Sequence, residues 1–450
     1  MRIHFIAIGG SAMHNMAIAL HKKGYQITGS DDVIFEPAKS RLEKYGLLPP
    51  EIGWDENRIS NDLDAVILGM HARIDNPELL KAQSLGLKIY SYPEYVYEQS
   101  KDKLRVVIGG SHGKTTITSM ILHVLNYYHR DFDYLVGAQL AGFETMVKIT
   151  KEAPVMIIEG DEYLSSPIDR RPKFHLYKAN VAVISGIAWD HINVFPTYAD
   201  YVAQFDKFID TIHTDGTLIY CKADHDLNEL VEKSTAAVKK IGYAIPQHEI
   251  DNGVTYLLPE HTALQVFGDH NLMNLNAAKL VCAQLGIDSN QFDTAISSFT
   301  GAAKRLEVIS ANASTNVYKD FAHSPSKLKA TIDAVKAQFT NRKLVACIEL
   351  HTFSSLNKDF LNEYAGAMDK ADVAIVFIDS KSFEQKRMTP FSEDDVQQAF
   401  ANPDLKFFND ASKLKTFLLS LNYKNSNLLM MSSGNYAGFD LPELAALLPQ

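Results

Sequence analysis

The length and composition of the chain indicate a soluble globular protein with more than one hydrophobic core. Its 450 residues are 46% hydrophobic and 22% charged, which excludes disordered, fibrous and disulfide-scaffold classes and suggests roughly three domains of about 150 residues each. The net charge is −10, without a long run of like charge. This balance argues against a general nucleic-acid binder or a protein of anionic membrane surfaces.

The cysteines and the hydropathy pattern predict a cytoplasmic location. Cys221, Cys282 and Cys347 lie far apart and form no CxxC pair, so neither a disulfide framework nor a cysteine zinc site is expected. The opening "MRIHFIAIGG" has too short an apolar run for a signal peptide and is typical of a first strand. No apolar stretch reaches the roughly 18 residues that would span a bilayer.

The first hundred residues alternate between short apolar runs and helical patterns. Met13, Met16 and Leu20 recur at helical spacing before Gly24, and strands alternating with helices predict a parallel sheet. The polar stretch "EQSKDKLR" (98–105) is the expected linker. Strands are predicted here at 3–8, 25–31, 64–69 and 87–92.

Two further α/β segments follow, and both repeat the alternation of strand and helix. We expect the first to end near residue 307 and the second to run to the C-terminus. Their predicted strands lie at 105–110, 154–162, 179–191, 216–221, 316–325, 343–350, 371–378 and 427–435, with a helix at 326–338.

The start of the chain carries a weak nucleotide-binding fingerprint. In "AIGGSAM" Gly9 is in place, but Ala7 and Ala12 stand where GxGxxG has its first and third glycines. Asp31 follows a second strand about twenty residues later, which strengthens the prediction of a nucleotide-type site. These features would also suit an NAD-dependent dehydrogenase.

The stretch "VVIGGSHGKTT" (106–116) predicts a phosphate-binding loop. It lies between an apolar strand and a helix, where glycines let backbone N–H groups approach phosphate oxygens. Lys114 supplies a cation and Thr115 a hydroxyl for Mg²⁺. Ile108 occupies the first glycine position of GxxxxGK[ST], so only the shorter GxxGKT ending is present. A phosphate loop here makes hydride transfer the poorer interpretation.

Three other polar groups are candidates whose roles the residues alone leave open. Glu159 ends an apolar strand and is either a Mg²⁺ ligand or part of a solvated acidic turn. His191 also follows a strand, where a single histidine is more often structural. His270, Asn271 and Asn274 begin a helix and either contact a purine or cap the helix.

These stretches, in this order, resemble the Mur ligase family of ATP-dependent amide-forming enzymes. The motifs that carry the resemblance are "GGSAM", "GSD" (29–31), "GGSHGKTT", "EGDE" (159–162), "WDH" (189–191), "DHNLMNLNAA" (269–278), "KRLE" (304–307) and "DFAHSP" (320–325). The resemblance implies an α/β fold of three domains: a Rossmann-like UDP-sugar-binding domain over 1–101, a central P-loop ATPase-like domain over 102–307 and a Rossmann-like C-terminal domain over 308–450 that receives the amine substrate and closes over ATP.

The resemblance also implies roles for individual residues, with Lys114, Glu159 and His191 as the catalytic set. Mg²⁺ would be held by Thr115, Glu159 and His191. ATP would contact Gly110, Ser111, His112, Gly113, Lys114, Thr115, Thr116, His270, Asn271, Asn274, Arg305 and Asp320. The substrates would contact Gly9, Gly10, Ser11, Asp31, His71, Tyr163, Arg171 and His323. The chain departs from the family pattern at Ser111, Asn193 and Ser324, where Thr, Asp and the second His of His-His-Pro are usual.

The implied reaction couples a carboxylate to an amine. The carboxylate of UDP-N-acetylmuramate takes the γ-phosphoryl group of ATP, and the amine then displaces phosphate from the acyl phosphate. The segment "EGDEYLSSPIDRRPKF" (159–174) looks like that of the branch whose amine is the murein tripeptide L-Ala-γ-D-Glu-meso-diaminopimelate. An L-alanine ligase is the alternative, and a non-catalytic nucleotide-binding regulator is an alternative of another class. A monomer or weak homo-oligomer is expected, with no nucleic-acid or membrane partner.

Overall fold

Parallel β-sheets with helices between their strands make up most of the fold. The computed structural model describes residues 1–140, 142–189, 194–302 and 305–448. Within these ranges the strands form four sheets, of four, seven, three and six strands. The three larger sheets lie in the three predicted α/β segments, and the expected fold class is confirmed.

The N-terminal sheet is wholly parallel, in the order β2-β1-β3-β4. Its middle strands, β1 and β3, are buried on both faces apart from Arg2, as strands covered by helices must be. The strands are β1 (Arg2–Ile6), β2 (Gln26–Ser30), β3 (Ala65–Leu68) and β4 (Ile89–Ser91). The helices are α1 (Ser11–Lys22), α2 (Ala38–Lys44), α3 (Pro77–Ser84) and α4 (Tyr92–Ser100), with a 3₁₀ turn at Glu56–Arg58.

The central sheet has the order β11-β10-β9-β5-β8-β6-β7, and only the edge pair β6 and β7 is antiparallel. Its strands are β5 (Leu104–Gly109), β6 (Asp133–Leu135), β7 (Val147–Lys148), β8 (Val155–Glu159), β9 (Val181–Ile184), β10 (Thr217–Cys221) and β11 (Lys239–Tyr243). The helices between β5 and the C-terminal sheet are α5 (Lys114–Tyr127), α6 (Tyr198–Asp210), α7 (His225–Lys233), α8 (Asp269–Gln284) and α9 (Ser289–Ile296), with a 3₁₀ turn at Lys173–Leu176. Because β8 and β9 flank β5, their carboxyl ends lie beside the loop that leaves β5.

A small antiparallel sheet between β11 and α8 was not predicted. It consists of β12 (His248–Asp251), β13 (Val254–Leu257) and β14 (Thr262–Leu264). These strands are short, and β12 is exposed along most of its length. They therefore lack the long apolar run or clean alternation that identifies a strand from sequence.

The C-terminal sheet has the order β15-β16-β20-β17-β18-β19, with only β15 antiparallel. Alternate residues of β17 belong to two different hydrophobic cores. Ala346 and Ile348 pack in one core, whereas Val345 and Cys347 pack in the other. Helices therefore cover both faces. The strands are β15 (Glu307–Ala311), β16 (Asn316–Asp320), β17 (Lys343–Glu349), β18 (Val373–Phe377), β19 (Lys406–Phe408) and β20 (Ser426–Met431). The helices are α10 (Pro325–Gln338), α11 (Lys358–Leu361), α12 (Ser380–Lys386), α13 (Glu393–Ala399), α14 (Ala411–Ser420) and α15 (Leu441–Leu447), with a 3₁₀ turn at Asn362–Tyr364.

The linker predicted at 98–105 is mostly regular structure, which corrects the sequence interpretation. Helix α4 continues to Ser100 and β5 already begins at Leu104. Arg105 is buried in the sheet, where it donates to the carbonyl oxygens of Tyr177 at 2.9 Å and Ser100 at 2.8 Å. A charged residue can be buried here because backbone carbonyls satisfy its donors.

The chain divides into two compact units. The first contains residues 1–244 and 273–296, and the second contains residues 245–272 and 297–450. The boundary falls inside α8. None of the helices in the described ranges combines the length and apolar character that crossing a membrane would require.

Candidate functional site

The loop between β5 and α5 has backbone geometry that only glycine adopts easily. Gly110 and Gly113 have φ angles of +124° and +76°, in the region that side chains with a β-carbon rarely enter. A β-carbon on Gly110 would lie 2.3 Å from Ser185 Oγ. Ser111 N donates to the Gly186 carbonyl at 2.9 Å. The loop is thus held against the segment that follows β9, with α5 beginning at its end.

Lys114 is the first residue of α5, and its ammonium is held from two sides. Nζ donates to the Gly110 carbonyl at 2.5 Å and to Glu162 Oε2 at 2.6 Å. Burial by itself would lower the pKa of Lys114, but the nearby carboxylates of Glu162 and Asp161 outweigh it and raise the pKa. The side chain therefore carries a fixed positive charge at the helix N-terminus, where a phosphate group is favoured.

Glu159 ends β8 beside the same helix start. Thr115 Oγ1 donates to Glu159 Oε1 at 2.7 Å, and the Gly137 N–H donates to Oε2 at 2.7 Å. Desolvation raises the pKa of Glu159, and these donors and Lys114 oppose that effect only in part. The predicted pair of oxygen donors, Thr115 and Glu159, is thus brought together.

This donor set suits Mg²⁺, a hard cation that takes few protein ligands and completes its shell with water and phosphate oxygens. Among the described residues no group of three or more His, Cys, Asp and Glu side chains could hold a metal by itself. The third expected ligand, His191, lies outside the described residues, as do Asp190 and Asn193.

Asn274 belongs to the later part of α8, which is in the first unit, and lies against the phosphate loop. A β-carbon on Gly113 would come within 2.2 Å of Asn274 Oδ1. The amide therefore reaches the loop directly, and Gly113 is required for this approach as well as for its φ angle.

The predicted nucleotide residues His270, Asn271, Arg305 and Asp320 lie in the second unit. His270 is half-buried, its Nδ1 is buried without a hydrogen-bond partner among the described residues, and desolvation lowers the pKa of the ring. Its contact with a nucleoside stays a prediction. Asn271 donates to the Phe267 carbonyl at 2.9 Å, so its amide is partly engaged with the backbone.

Asp320, at the end of β16, uses its carboxylate within the second unit. Oδ2 accepts from the Leu306 N–H and Oδ1 from the Ala322 N–H, both at 2.7 Å. The Arg305 guanidinium lies 4.6 Å from the ring centroid of Phe321. Asp320 therefore fixes the loop that carries Arg305, and its contact with a nucleotide stays a prediction.

The predicted sugar-nucleotide residues converge at the carboxyl edge of the N-terminal sheet. The Gly9 N–H donates to Asp31 Oδ2 at 2.7 Å, and a β-carbon on Gly9 would lie 2.9 Å from the same oxygen. Gly10 and Ser11 start α1. His71 follows β3 and is exposed. Burial raises the pKa of Asp31, against the effect of the Gly9 donor.

Tyr163 and Arg171 lie on a folded segment directly after Glu159. Lys173 N donates to the Tyr163 carbonyl at 2.9 Å, and the Lys173 ammonium lies 5.9 Å from the Tyr163 ring centroid. The Arg171 guanidinium donates to Asp169 at 2.6 Å and to Glu94 of α4 at 3.2 Å. Arg171 thus ties this segment to the N-terminal sheet domain, and its contact with a substrate stays a prediction.

The histidine of "DFAHSP" lies in the loop between β16 and α10. His323 Nδ1 lies 2.8 Å from the Phe321 carbonyl oxygen. Ser324, which replaces a second histidine, is the N-cap residue of α10, and its Oγ is buried without a hydrogen-bond partner in the described ranges. The departure from the family pattern therefore leaves a polar atom unused beside His323.

Sequence reasoning did not single out Glu162, Gly137 or Ser185. Glu162 is the last residue of the "EGDE" motif, but the sequence does not show which carboxylate of this motif contacts Lys114. Gly137 and Ser185 are remote in sequence from the groups they contact, and no local pattern marks them.

Models of three Mur ligase domains match the chain in order. The Mur ligase family catalytic domain matches residues 2–103, the Mur ligase middle domain residues 108–282 and the Mur ligase glutamate ligase domain residues 304–434. The chain belongs to the Mur ligase family. It is therefore an ATP-dependent, ADP-forming ligase.

Individual Mur ligases are similar over most of the chain. A UDP-N-acetylmuramate–L-alanine ligase of Caldicellulosiruptor bescii is 33% identical over 391 residues, 83% of this chain and 82% of the relative. A murein peptide ligase from Psychrobacter arcticus has the same fold, with a TM-score of 0.64, 22% identity and coverage of 99% and 98% of the two chains. A UDP-N-acetylmuramate–alanine ligase from Thermotoga maritima gives a TM-score of 0.69, 21% identity and coverage of 97% and 96%.

Proposed function

We propose that this Mur ligase joins the carboxylate of UDP-N-acetylmuramate to the amine of the murein tripeptide L-Ala-γ-D-Glu-meso-diaminopimelate, with ATP and Mg²⁺. The ligase chemistry is supported by one observation: Lys114, Thr115 and Glu159 lie together at the start of α5. The choice of amine rests on the segment 159–174.

The first step makes a leaving group. The UDP-N-acetylmuramate carboxylate attacks the γ-phosphorus of ATP, ADP departs and an acyl phosphate forms. Lys114 offsets the charge that accumulates on the phosphoryl oxygens, and the N-terminus of α5 contributes in the same direction. Thr115, Glu159 and His191 would hold Mg²⁺, which supplies further charge neutralisation when bound.

The second step makes the amide. The neutral amine of the acceptor attacks the acyl carbon, and inorganic phosphate leaves. Water would compete with the amine for the acyl phosphate, so the site has to exclude it.

The segment 159–174 supports the tripeptide as the amine. It places an aromatic ring, Tyr163, and a lysine, Lys173, together directly after Glu159. Asp161 accepts from Lys173 Nζ at 2.6 Å, so the segment is held in one conformation. A peptide with three carboxylate groups needs more cationic and aromatic surface than free L-alanine does.

L-alanine is the second candidate for the amine. It is favoured by the similarity to the UDP-N-acetylmuramate–L-alanine ligase of Caldicellulosiruptor bescii, whose 33% identity extends over most of the chain. Both candidates share the same carboxylate donor and the same ATP chemistry. They differ only in what attacks the acyl phosphate.

A direct assay separates the candidates. The protein is incubated with ATP, Mg²⁺ and UDP-N-acetylmuramate, and phosphate release is measured with the tripeptide or with L-alanine at equal concentration. We expect a higher kcat/KM with the tripeptide. Turnover with L-alanine alone contradicts the tripeptide assignment, and no turnover with either amine contradicts both.

A variant pair tests whether segment 159–174 contributes to that choice. Tyr163→Ala removes the ring, whereas Tyr220→Ala removes a partly exposed tyrosine of β10 as the control. We expect Tyr163→Ala to raise KM for the amine and to leave KM for ATP within about twofold. An unchanged KM for the amine contradicts a role for this segment in amine selection.

A further inference from the structure

Glu162 lies behind Lys114, on the side away from solvent. Its side chain is 0% exposed, whereas that of Lys114 is 16% exposed. The carboxylate contacts the ammonium at 2.6 Å and accepts from the Tyr201 hydroxyl at 3.2 Å. A ligand entering from solvent therefore meets Lys114 and not Glu162.

The carboxylate is itself held in place by a packed helix. Tyr201 belongs to α6, and its neighbours Phe205 and Phe208 on the same face are completely buried. Phe208 stacks on Phe174 with ring centroids 4.5 Å apart. Because this face is close-packed, the Tyr201 hydroxyl provides a rigid anchor for Glu162.

Among the described residues two acceptors contact the Lys114 ammonium, Glu162 and the Gly110 carbonyl. With respect to these residues, the third N–H group of the ammonium can donate to a phosphate oxygen without loss of either contact. An unheld lysine side chain, by contrast, would have to give up its rotamer freedom when the phosphate binds.

We propose that Glu162 is a positioning residue, which holds the Lys114 ammonium where the transferred phosphoryl group develops charge, with Tyr201 anchoring Glu162. Glu162 keeps this contact when ATP is bound and does not touch the nucleotide. The inference rests on the proposed role of Lys114 in phosphoryl transfer and extends it to a residue with no contact to substrate.

The test compares Glu162→Gln with wild-type protein in steady-state kinetics, with ATP varied and with whichever amine the wild type uses. Misplacement of a charged group by about 1 Å can cost about 100-fold in rate, so we expect kcat to fall about 10- to 100-fold. KM for ATP should change by less than about threefold, because the ammonium itself is retained. Glu162→Asp should fall between the two, since it keeps the charge but shortens the reach.

Two more variants separate positioning from folding. Tyr201→Phe removes only the anchoring hydroxyl and should lower kcat by about threefold, and it should have little further effect in the Glu162→Gln background. Glu229→Gln, on the exposed face of α7, is the matched control and should be unchanged. Circular dichroism and the Tm identify any variant that fails to fold.

The results of these measurements either support or overturn the role assigned to Glu162. Loss of kcat with near-constant KM in a folded Glu162→Gln protein supports the inference. A wild-type kcat, or a changed KM for ATP with an unchanged kcat, overturns it. A kcat loss fully explained by the unfolded fraction also overturns it, because Glu162 would then be structural. Wild-type protein inactive with every amine would instead contradict the proposed function.

Discussion

Replacing Lys114 with methionine should destabilise the first unit as well as stop the reaction. Methionine keeps the length of the side chain and removes its charge. Glu162, which is 0% exposed, would then be a buried carboxylate without its ammonium partner at 2.6 Å. Removing one member of a buried ion pair costs about 3–5 kcal/mol. For a domain of 150–250 residues, each kcal/mol lowers the Tm by about 2–4 °C, so we expect a decrease of about 6–20 °C.

The control for this prediction is an ion pair of the same length at the surface. Lys233 and Glu229 are 2.8 Å apart, but their side chains are 75% and 49% exposed. Lys233→Met should cost no more than about 0.5 kcal/mol, because water and salt screen the pair. The double variant Lys114→Met/Glu162→Gln, in which the unpaired charge is gone, should recover more than half of the lost Tm and remain inactive.

The assay is thermal unfolding without nucleotide, followed by tryptophan fluorescence and circular dichroism. A Tm of Lys114→Met within the range of the surface control would refute the reasoning. So would a double variant no more stable than the single one, because the cost would then not come from the buried charge of Glu162.

Three further predictions concern the phosphate loop, the contact of Glu144 with Lys22 of α1 at 2.6 Å, and the separation of the sites. Gly110→Ala should raise KM for ATP at least about tenfold, since strained backbone costs about 1–3 kcal/mol and the β-carbon would lie 2.7 Å from Ser185 N. Gly142→Ala is the control, because Gly142 also has a positive φ but a β-carbon there would have no neighbour within 4 Å. This variant should leave KM for ATP unchanged. The pKa of Glu144 is lowered from 4.5 to about 2, chiefly by its hydrogen bond from Lys22. The stabilisation that the ionised Glu144 provides is therefore present above pH 4.5 and is lost as the pH falls toward 2. The decrease in Tm caused by Glu144→Gln should be constant from pH 8 to 5, and a decrease that changes between pH 7 and 6 contradicts this. Lys114→Ala should abolish ligation and leave UDP-N-acetylmuramate affinity within about twofold by calorimetry, and a parallel loss of affinity in a folded variant contradicts separate sites.

The sequence by itself determined the type and order of most elements around the site. Apolar runs set the strands, and Gly110 and Gly113 set the turn, because backbone conformation and hydrophobic period are local properties. The position of Glu159 was predictable as well, because a polar residue that ends a parallel strand next to the phosphate loop must lie at the carboxyl edge of the sheet. Thr115 and Glu159 are indeed in hydrogen-bond contact.

Tertiary structure decided which charges pair and which polar groups are buried. Only packing brings Glu162 to Lys114, Ser185 to Gly110 and the Arg105 guanidinium to buried carbonyls. These contacts join residues whose separation along the chain carries no information about their distance in space. Side-chain direction and desolvation are set by the whole core, so one carboxylate of "EGDE" faces Thr115, and another, three residues later, faces the lysine.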